Sequence, residues 1–213
     1  MGNCCAGGYN RIFGERVARR DARRYRHKGL DATAQRLVDE VAGLDIQNAE
    51  VLEIGGGVGA IELELLKRGA ERATNVELSH GYDAEGEKLL AEAGLGGRVV
   101  RRYGDFVEDE ALVDPADVVV MHRVVCCYPD PDALVGAAAG HARRVLAFSF
   151  PRRTWWLRLG ARVANVYFRL ACNFETFVHP PETILGAAHS RGFAPVHEHT
   201  GRVWRLAVLE RVS

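Results

Sequence analysis

The stretch Val51-Leu52-Glu53-Ile54-Gly55-Gly56-Gly57-Val58-Gly59-Ala60 decides the fold. A short apolar run leads into four glycines within five residues, and Ile61–Lys67 then takes up helical spacing. Val51–Ile54 reads as a strand buried on both faces. The glycines allow a tight turn and close approach of backbone to a ligand, and a helix starting near Val58 would add its positive end.

Outward from this corner the same alternation repeats. Strand-like runs fall at Ala73–Glu77, Val99–Arg102, Val118–Met121 and Val145–Phe150, with helical segments at Ile61–Lys67, Ala84–Ala93 and Ala133–Ala142 between them. Continuous apolar strands separated by helices predict a parallel sheet covered on both sides. The last two runs, Phe193–His199 and Val203–Glu210, are too close for a crossover; with Gly201 available for a turn they predict an antiparallel hairpin. Asp31 is positioned to cap a helix through Leu37, Val38 and Val41. Before it, residues 9–28 are strongly basic and too poor in apolar positions for a core helix, which predicts a surface helix or lid. The chain divides into a basic lid segment, 1–30, and a main domain, 31–213, with a helical cap insertion around 152–180.

The 213 residues carry 28 Lys plus Arg against 28 Asp plus Glu, so the net charge is zero. Only Lys28, Lys67 and Lys88 are lysines, so 25 of the 28 bases are Arg. Arg suits fixed bidentate contact with carboxylate or phosphate. With 47% hydrophobic and 26% charged residues the composition is globular, and the neutral sum argues against a nucleic-acid coat protein. No apolar run is long enough for a membrane span and no secretory leader is evident, so a cytoplasmic chain is expected. Five cysteines, among them the adjacent pairs Cys4-Cys5 and Cys126-Cys127, do not form a secreted disulfide framework. Neighbouring cysteines in extended chain point to opposite faces, so no metal site is expected. The opening Met-Gly-Asn-Cys-Cys has the outline of a lipidated start, but Ala6 stands where that pattern wants Ser or Thr.

The glycine corner admits two ligands. Gly55, Gly57 and Ala60 satisfy the dinucleotide pattern G-x-G-x-x-A, so an NAD(P)-dependent oxidoreductase is one reading. Glu53, Gly55, Gly57 and Gly59 satisfy E-x-G-x-G-x-G, which resembles motif I of class I S-adenosylmethionine-dependent methyltransferases. Glu77, 22 residues beyond Gly55, suits a ribose diol in either family. Gly104-Asp105-Phe106 resembles the methyltransferase position that contacts adenine. The terminal hairpin favours the methyltransferase, whose sheet ends in an antiparallel strand.

The resemblance covers about residues 30–210 and implies a Rossmann-like α/β fold with a seven-stranded sheet of order 3-2-1-4-5-7-6. It also implies S-adenosylmethionine as cofactor. Glu53, Gly55, Gly57 and Gly59 would frame its methionine part, Glu77 its ribose, and Asp105 with Phe106 its adenine. The chain is more distantly similar to the magnesium-protoporphyrin O-methyltransferase group. The implied activity is methyl transfer to O or N of a hydrophobic small molecule, neutral or anionic. A non-catalytic cofactor-binding regulatory or partner subunit is the alternative.

In such a fold the acceptor lies beyond the fourth strand, at Met121-His122-Arg123-Val124-Val125-Cys126-Cys127-Tyr128. His122 and Tyr128 are candidate proton acceptors or positioners, and Arg123 could grip an anion. Methyl transfer to an activated carbon also proceeds by alignment and desolvation alone. Tyr9 and Phe13 of the lid, Trp155 and Trp156 of the cap, and His179 beyond it are candidate substrate contacts. The cap could instead cover the sheet, meet a second subunit in a homodimer, or touch an anionic membrane through Trp and Arg. Both arginine-rich segments, 11–26 and 152–169, are expected to face an acidic cofactor half across the site.

Overall fold

The structure is a computed structural model and describes Tyr9, residues 12–172 and residues 174–212. The motif around Cys4-Cys5 lies outside these residues. Two helices, α1 (Glu15–Lys28) and α2 (Ala32–Ala42), precede the sheet. The expected alternation follows: β1 (Glu50–Ile54), α3 (Ala60–Lys67), β2 (Arg72–Glu77), α4 (Asp83–Glu92), β3 (Val99–Tyr103), β4 (Ala116–His122), α5 (Pro131–His141) and β5 (Ala142–Pro151). The chain ends with α6 (Trp155–Cys172), α7 (Pro181–His189), β6 (Phe193–Thr200) and β7 (Trp204–Arg211).

The seven strands are ordered β3-β2-β1-β4-β5-β7-β6. β1 to β5 pair in parallel, whereas β7 runs antiparallel to both β5 and β6. This is the Rossmann-like class I methyltransferase sheet, hairpin included. β6 is an outer edge, and Pro195 sits there beside a register shift, where a missing N–H harms no ladder.

Period two along the strands sorts the core. Val118 and Val120 of β4 face Leu37, Val38 and Val41 of α2 and Leu65 of α3. Val119 and Met121 face the opposite layer, with Phe148 and Phe150 of β5, Leu134 of α5 and Ile184 of α7. Asp31 caps α2 as expected, its Oδ1 accepting from the N–H groups of Thr33 (3.0 Å) and Ala34 (3.2 Å).

The basic segment does form a surface helix. Ala18 and Ala22 nonetheless bury against Leu89 and Leu90 of α4 and Leu63 of α3. Its charges are partly matched by the domain: Arg26 donates to Glu92 (2.9 Å) and Glu85 (3.3 Å) of α4. The expected division into a basic lid opposing an acidic half is thus modified, because part of the lid's charge is neutralised on the helix beneath it.

Phe148 is fully buried and packs 5.9 Å, centre to centre, from Phe150. Phe148→Ala should cost about 3–5 kcal/mol through lost transfer energy and a residual cavity, seen as a fall in Tm on the order of 10 °C. An unchanged melting curve would contradict this core assignment.

Candidate functional site

The glycine loop owes its shape to backbone geometry and to space. Gly55, Gly57 and Gly59 have φ of 67°, 57° and 77°, the left-handed region that disfavours side chains. At Gly55 a β-carbon would also meet Cγ2 of Val124 at 2.6 Å, so this turn of β1 lies directly against the loop after β4. The helix begins at Ala60, later than expected, with Gly59 as its cap.

Glu77, at the end of β2, locks the loop in place. Its buried carboxylate accepts from the N–H of Gly57 (3.0 Å), Leu78 (2.7 Å) and Ser79 (3.2 Å). Burial raises its pKa, and the three N–H donors oppose that rise.

Tyr9, Gly55, Glu77, Asp105, Phe106 and Tyr128 line one small cavity of about 50 Å³ at the carboxyl ends of the strands. Asp105 also caps its own turn, accepting from the N–H of Val107 at 3.0 Å. The Tyr128 hydroxyl lies 3.5 Å from Asp105 Oδ1, and burial with nearby carboxylates raises its pKa to about 12. At neutral pH the Tyr128 hydroxyl is therefore protonated.

On the far side of Gly55 lies a second, wider cavity. Phe13, Arg20, Arg24, Asp31, Glu53, His122 and Arg123 line it. His122 and Arg123 thus separate from Tyr128, with Gly55 shared between the two spaces. His122 Nδ1 is 2.9 Å from Ser149 Oγ, and its Nε2 lies 3.7 Å from Asp31 with no hydrogen-bond partner. Burial lowers its pKa against the pull of Asp31. Arg123 adopts φ 61°, forms an ion pair with Asp31 at 2.9 Å and stacks 4.8 Å above the Trp204 ring. The role of Asp31 at this site, beyond its cap, was not apparent in the sequence, because 92 residues separate it from its partner Arg123.

Behind the loop two acids face each other. Glu53 accepts from the Glu62 N–H at 2.9 Å, while Asn75 donates to Glu62 at 2.9 Å. Burial raises both acids, Glu62 to about 7, and the negative charge of Glu62 pushes Glu53 up further. The pair holds a proton through neutral pH. Arg101 donates to the Gly57 carbonyl at 2.6 Å and moderates the negative charge. Glu62, Asn75 and Arg101 carry no sequence signal, since polar residues at strand and helix positions ordinarily face water.

The aromatic candidates divide. The Tyr9 and Phe13 rings lie 4.4 Å apart, tilted by 35°, Phe13 meets Phe174 at 5.7 Å, and Phe174 meets Phe168 of α6 at 5.5 Å. Lid and cap therefore join over the cavities. Trp155 and Trp156 do not take part: they stand exposed on the outer side of α6, contrary to their reading as pocket residues. His179 stacks on Phe177 and its Nε2 meets the Tyr128 carbonyl at 2.9 Å, so it positions the loop after β4. The Cys126 and Cys127 sulfurs lie 3.8 Å apart rather than on opposite faces, because Val125–Cys127 forms a 3₁₀ turn instead of extended chain. Among the described residues no group of three or more His, Cys, Asp or Glu side chains could hold a metal.

A strand–glycine–helix corner, an acid after β2 and another after β3, gathered at the carboxyl edge of this sheet order, define a nucleoside-cofactor α/β protein. The family model described as "Methyltransferase domain" matches residues 22–198, and the chain belongs to this family of S-adenosylmethionine-dependent methyltransferases. The magnesium protoporphyrin IX methyltransferase of Synechocystis PCC 6803, crystallised with bound SAH, is 20% identical, with 96% of this chain and 93% of that chain covered and a TM-score of 0.69. An O-methyltransferase family protein from Burkholderia thailandensis is 20% identical over 95% of this chain and 64% of its own, with a TM-score of 0.68. An O-methyltransferase family 2 protein from Planctomyces limnophilus DSM 3776, in complex with apigenin, is 18% identical over 92% and 62%, with a TM-score of 0.67. No curated protein sequence matches the chain.

The residues present fit that cofactor better than a dinucleotide. The Gly57 N–H, which would serve a pyrophosphate, is already given to Glu77.

The buried acid pair makes a signed prediction. A carboxyl raised above its ordinary 4.5 contributes stability that is fully present below that value and is lost as pH rises through the folded value, about 7 for Glu62. Thermal stability of the wild type should therefore fall as pH rises from about 4.5 to about 7, and Glu62→Gln should flatten that slope. Parallel pH profiles for the two proteins would show that no proton is held there.

Proposed function

We propose that the protein methylates an oxygen or nitrogen atom of a hydrophobic small molecule carrying an acidic group. The observation that carries this reading is the pair of cavities meeting at Gly55, one walled by Glu77, Asp105 and Phe106, the other by His122, Arg24 and Arg123. Glu77 would hold the ribose hydroxyls, Asp105 and Phe106 the adenine, and Gly55, Gly57 and Gly59 the methionine part. Glu53 serves from behind, fixing the start of α3 through the Glu62 N–H.

When bound, S-adenosylmethionine supplies a methyl group on a sulfonium, already activated for in-line displacement. The chain's part is alignment, exclusion of water and management of one proton. Tyr9, Phe13 and Phe174 form an aromatic roof that dries the reacting space and suits an apolar acceptor. Arg24 and Arg123 both approach the single carboxylate of Asp31, at 3.7 and 2.9 Å, and leave a surplus of positive charge beside an acidic substituent. His122 accepts the proton released by the acceptor. Its depressed pKa keeps it in the basic form throughout the neutral range.

His122→Ala should lower turnover by about 10²- to 10⁴-fold, with S-adenosylhomocysteine affinity unchanged by calorimetry. Turnover is read as S-adenosylhomocysteine formed when cell extract supplies the acceptor. The wild-type rate should hold steady as pH falls from 8 to 6.5 and decline only below that ordinary histidine value. Wild-type turnover in the variant would remove His122 from the reaction. Separately, Glu77→Gln should weaken S-adenosylhomocysteine binding at least tenfold, because an amide at that site cannot serve both the backbone N–H groups and the ribose. Undiminished affinity would place the cofactor elsewhere.

A further inference from the structure

The outer face of α6 has no partner among the described residues. Two hydrogen bonds fix which face that is: the Asn165 side chain donates to the Thr176 carbonyl and accepts from the Thr176 N–H, both at 2.8 Å. At about 100° per residue, Trp155, Trp156, Leu159, Val163, Val166, Tyr167 and Leu170 fall within one sector of about 120°. All seven are exposed, Trp155 by 76% and Leu170 by 85%. Single exposed apolar residues need no explanation, but a contiguous stripe of this kind marks a contact surface. Arg158, Arg162 and Arg169 form a second strip along one edge of that stripe, within about 40° of one another. α6 contains no acid. Arg158 and Arg162 make no ion pair among the described residues, while Arg169 pairs with Glu175 and, just before the helix, Arg153 lies 3.8 Å from Glu182.

Charge decides between occupants. If a second copy packed its own α6 antiparallel on this stripe, two-fold symmetry would set one arginine strip against the other. An anionic bilayer accepts both strips together. The apolar sector sinks to the acyl boundary, the Trp and Tyr rings sit at headgroup level, and the arginines meet lipid phosphates. No helix among the described residues is long and apolar enough to cross a membrane, so α6 would lie in the interface plane.

We propose that α6 is an interfacial helix that seats this protein on an anionic lipid surface. Through Phe168 and Phe174 the seated helix adjoins the aromatic roof of the two cavities, so docking would bring the site's roof to the membrane. The proposal concerns the surface and does not depend on the methyl acceptor.

The full chain should co-sediment with vesicles of phosphatidylcholine mixed with phosphatidylglycerol, and far less with phosphatidylcholine alone. Two of its three Trp residues lie on this face, so their emission should shift to the blue on binding. Arg158→Gln with Arg162→Gln should weaken partitioning about fivefold per arginine, and Leu159→Ser with Val163→Ser should abolish it. These positions are exposed, so both variants should keep wild-type melting and cofactor affinity. The wild-type comparison between the two vesicle types stands even if a variant misfolds. Equal affinity for both vesicle types, absence of binding to either, or a lipid-free dimer that Leu159→Ser with Val163→Ser dissociates would overturn the proposal.

Discussion

The site depends on one carboxylate. Glu77 stands buried at the end of β2 and accepts three backbone N–H groups, from Gly57 across the loop and from Leu78 and Ser79 of its own turn. An unpaired buried carboxylate would be prohibitive, and these donors make its burial tolerable. In return the glycine loop is tied to the neighbouring strand and cannot drift from the adjoining cavity wall. Gly55 completes the constraint from the other side, because only a residue without a β-carbon lets Val124 come so near. Two strands and the loop after β4 thus converge on one point, and both cavities open beside it.

Around that point the polar groups form two separate systems. Glu53, Glu62, Asn75 and Arg101 stiffen the loop from behind and hold a proton at neutral pH. Asp31, His122 and Arg123 face the second cavity and, with the buried Ser149 behind them, join α2 to β4 and β5. Asp31 is central to the second system because one side chain serves as helix cap and as counter-ion. Its pKa is held far below the ordinary carboxylate range: desolvation alone would raise it, but the charge of Arg123 and the N–H of Ala34 in its own cap outweigh that rise.

Much of this architecture was legible in the sequence. The alternation of apolar runs and helical segments and the short link between the last two strands predict a parallel sheet closed by an antiparallel hairpin, and the resemblance carried by the glycine corner implies the strand order that the fold has. Glu77, Asp105 and Phe106 were placed correctly at the strand ends because strand boundaries fix them within a residue or two. Features set by side-chain direction or by distant pairing were not legible. Trp155 and Trp156 suited a pocket wall by composition, but Asn165 rotates α6 so that they look outward. Adjacent cysteines point apart only in extended chain, and the 3₁₀ turn at Val125–Cys127 removes that premise. Asp31 and Arg123 lie far apart in sequence, and Arg123 takes a left-handed backbone that nothing in its local sequence foretells.

The central claim is that one cofactor lies across the two cavities, straddling Gly55. A crystal structure with S-adenosylhomocysteine tests it most directly. Electron density is expected to run from Asp105 and Phe106 past the Glu77 carboxylate and over the glycine loop toward His122 and Arg123. Density confined to any other face of the sheet, or a complex in which Glu77 and Asp105 touch no ligand atom, would contradict the account.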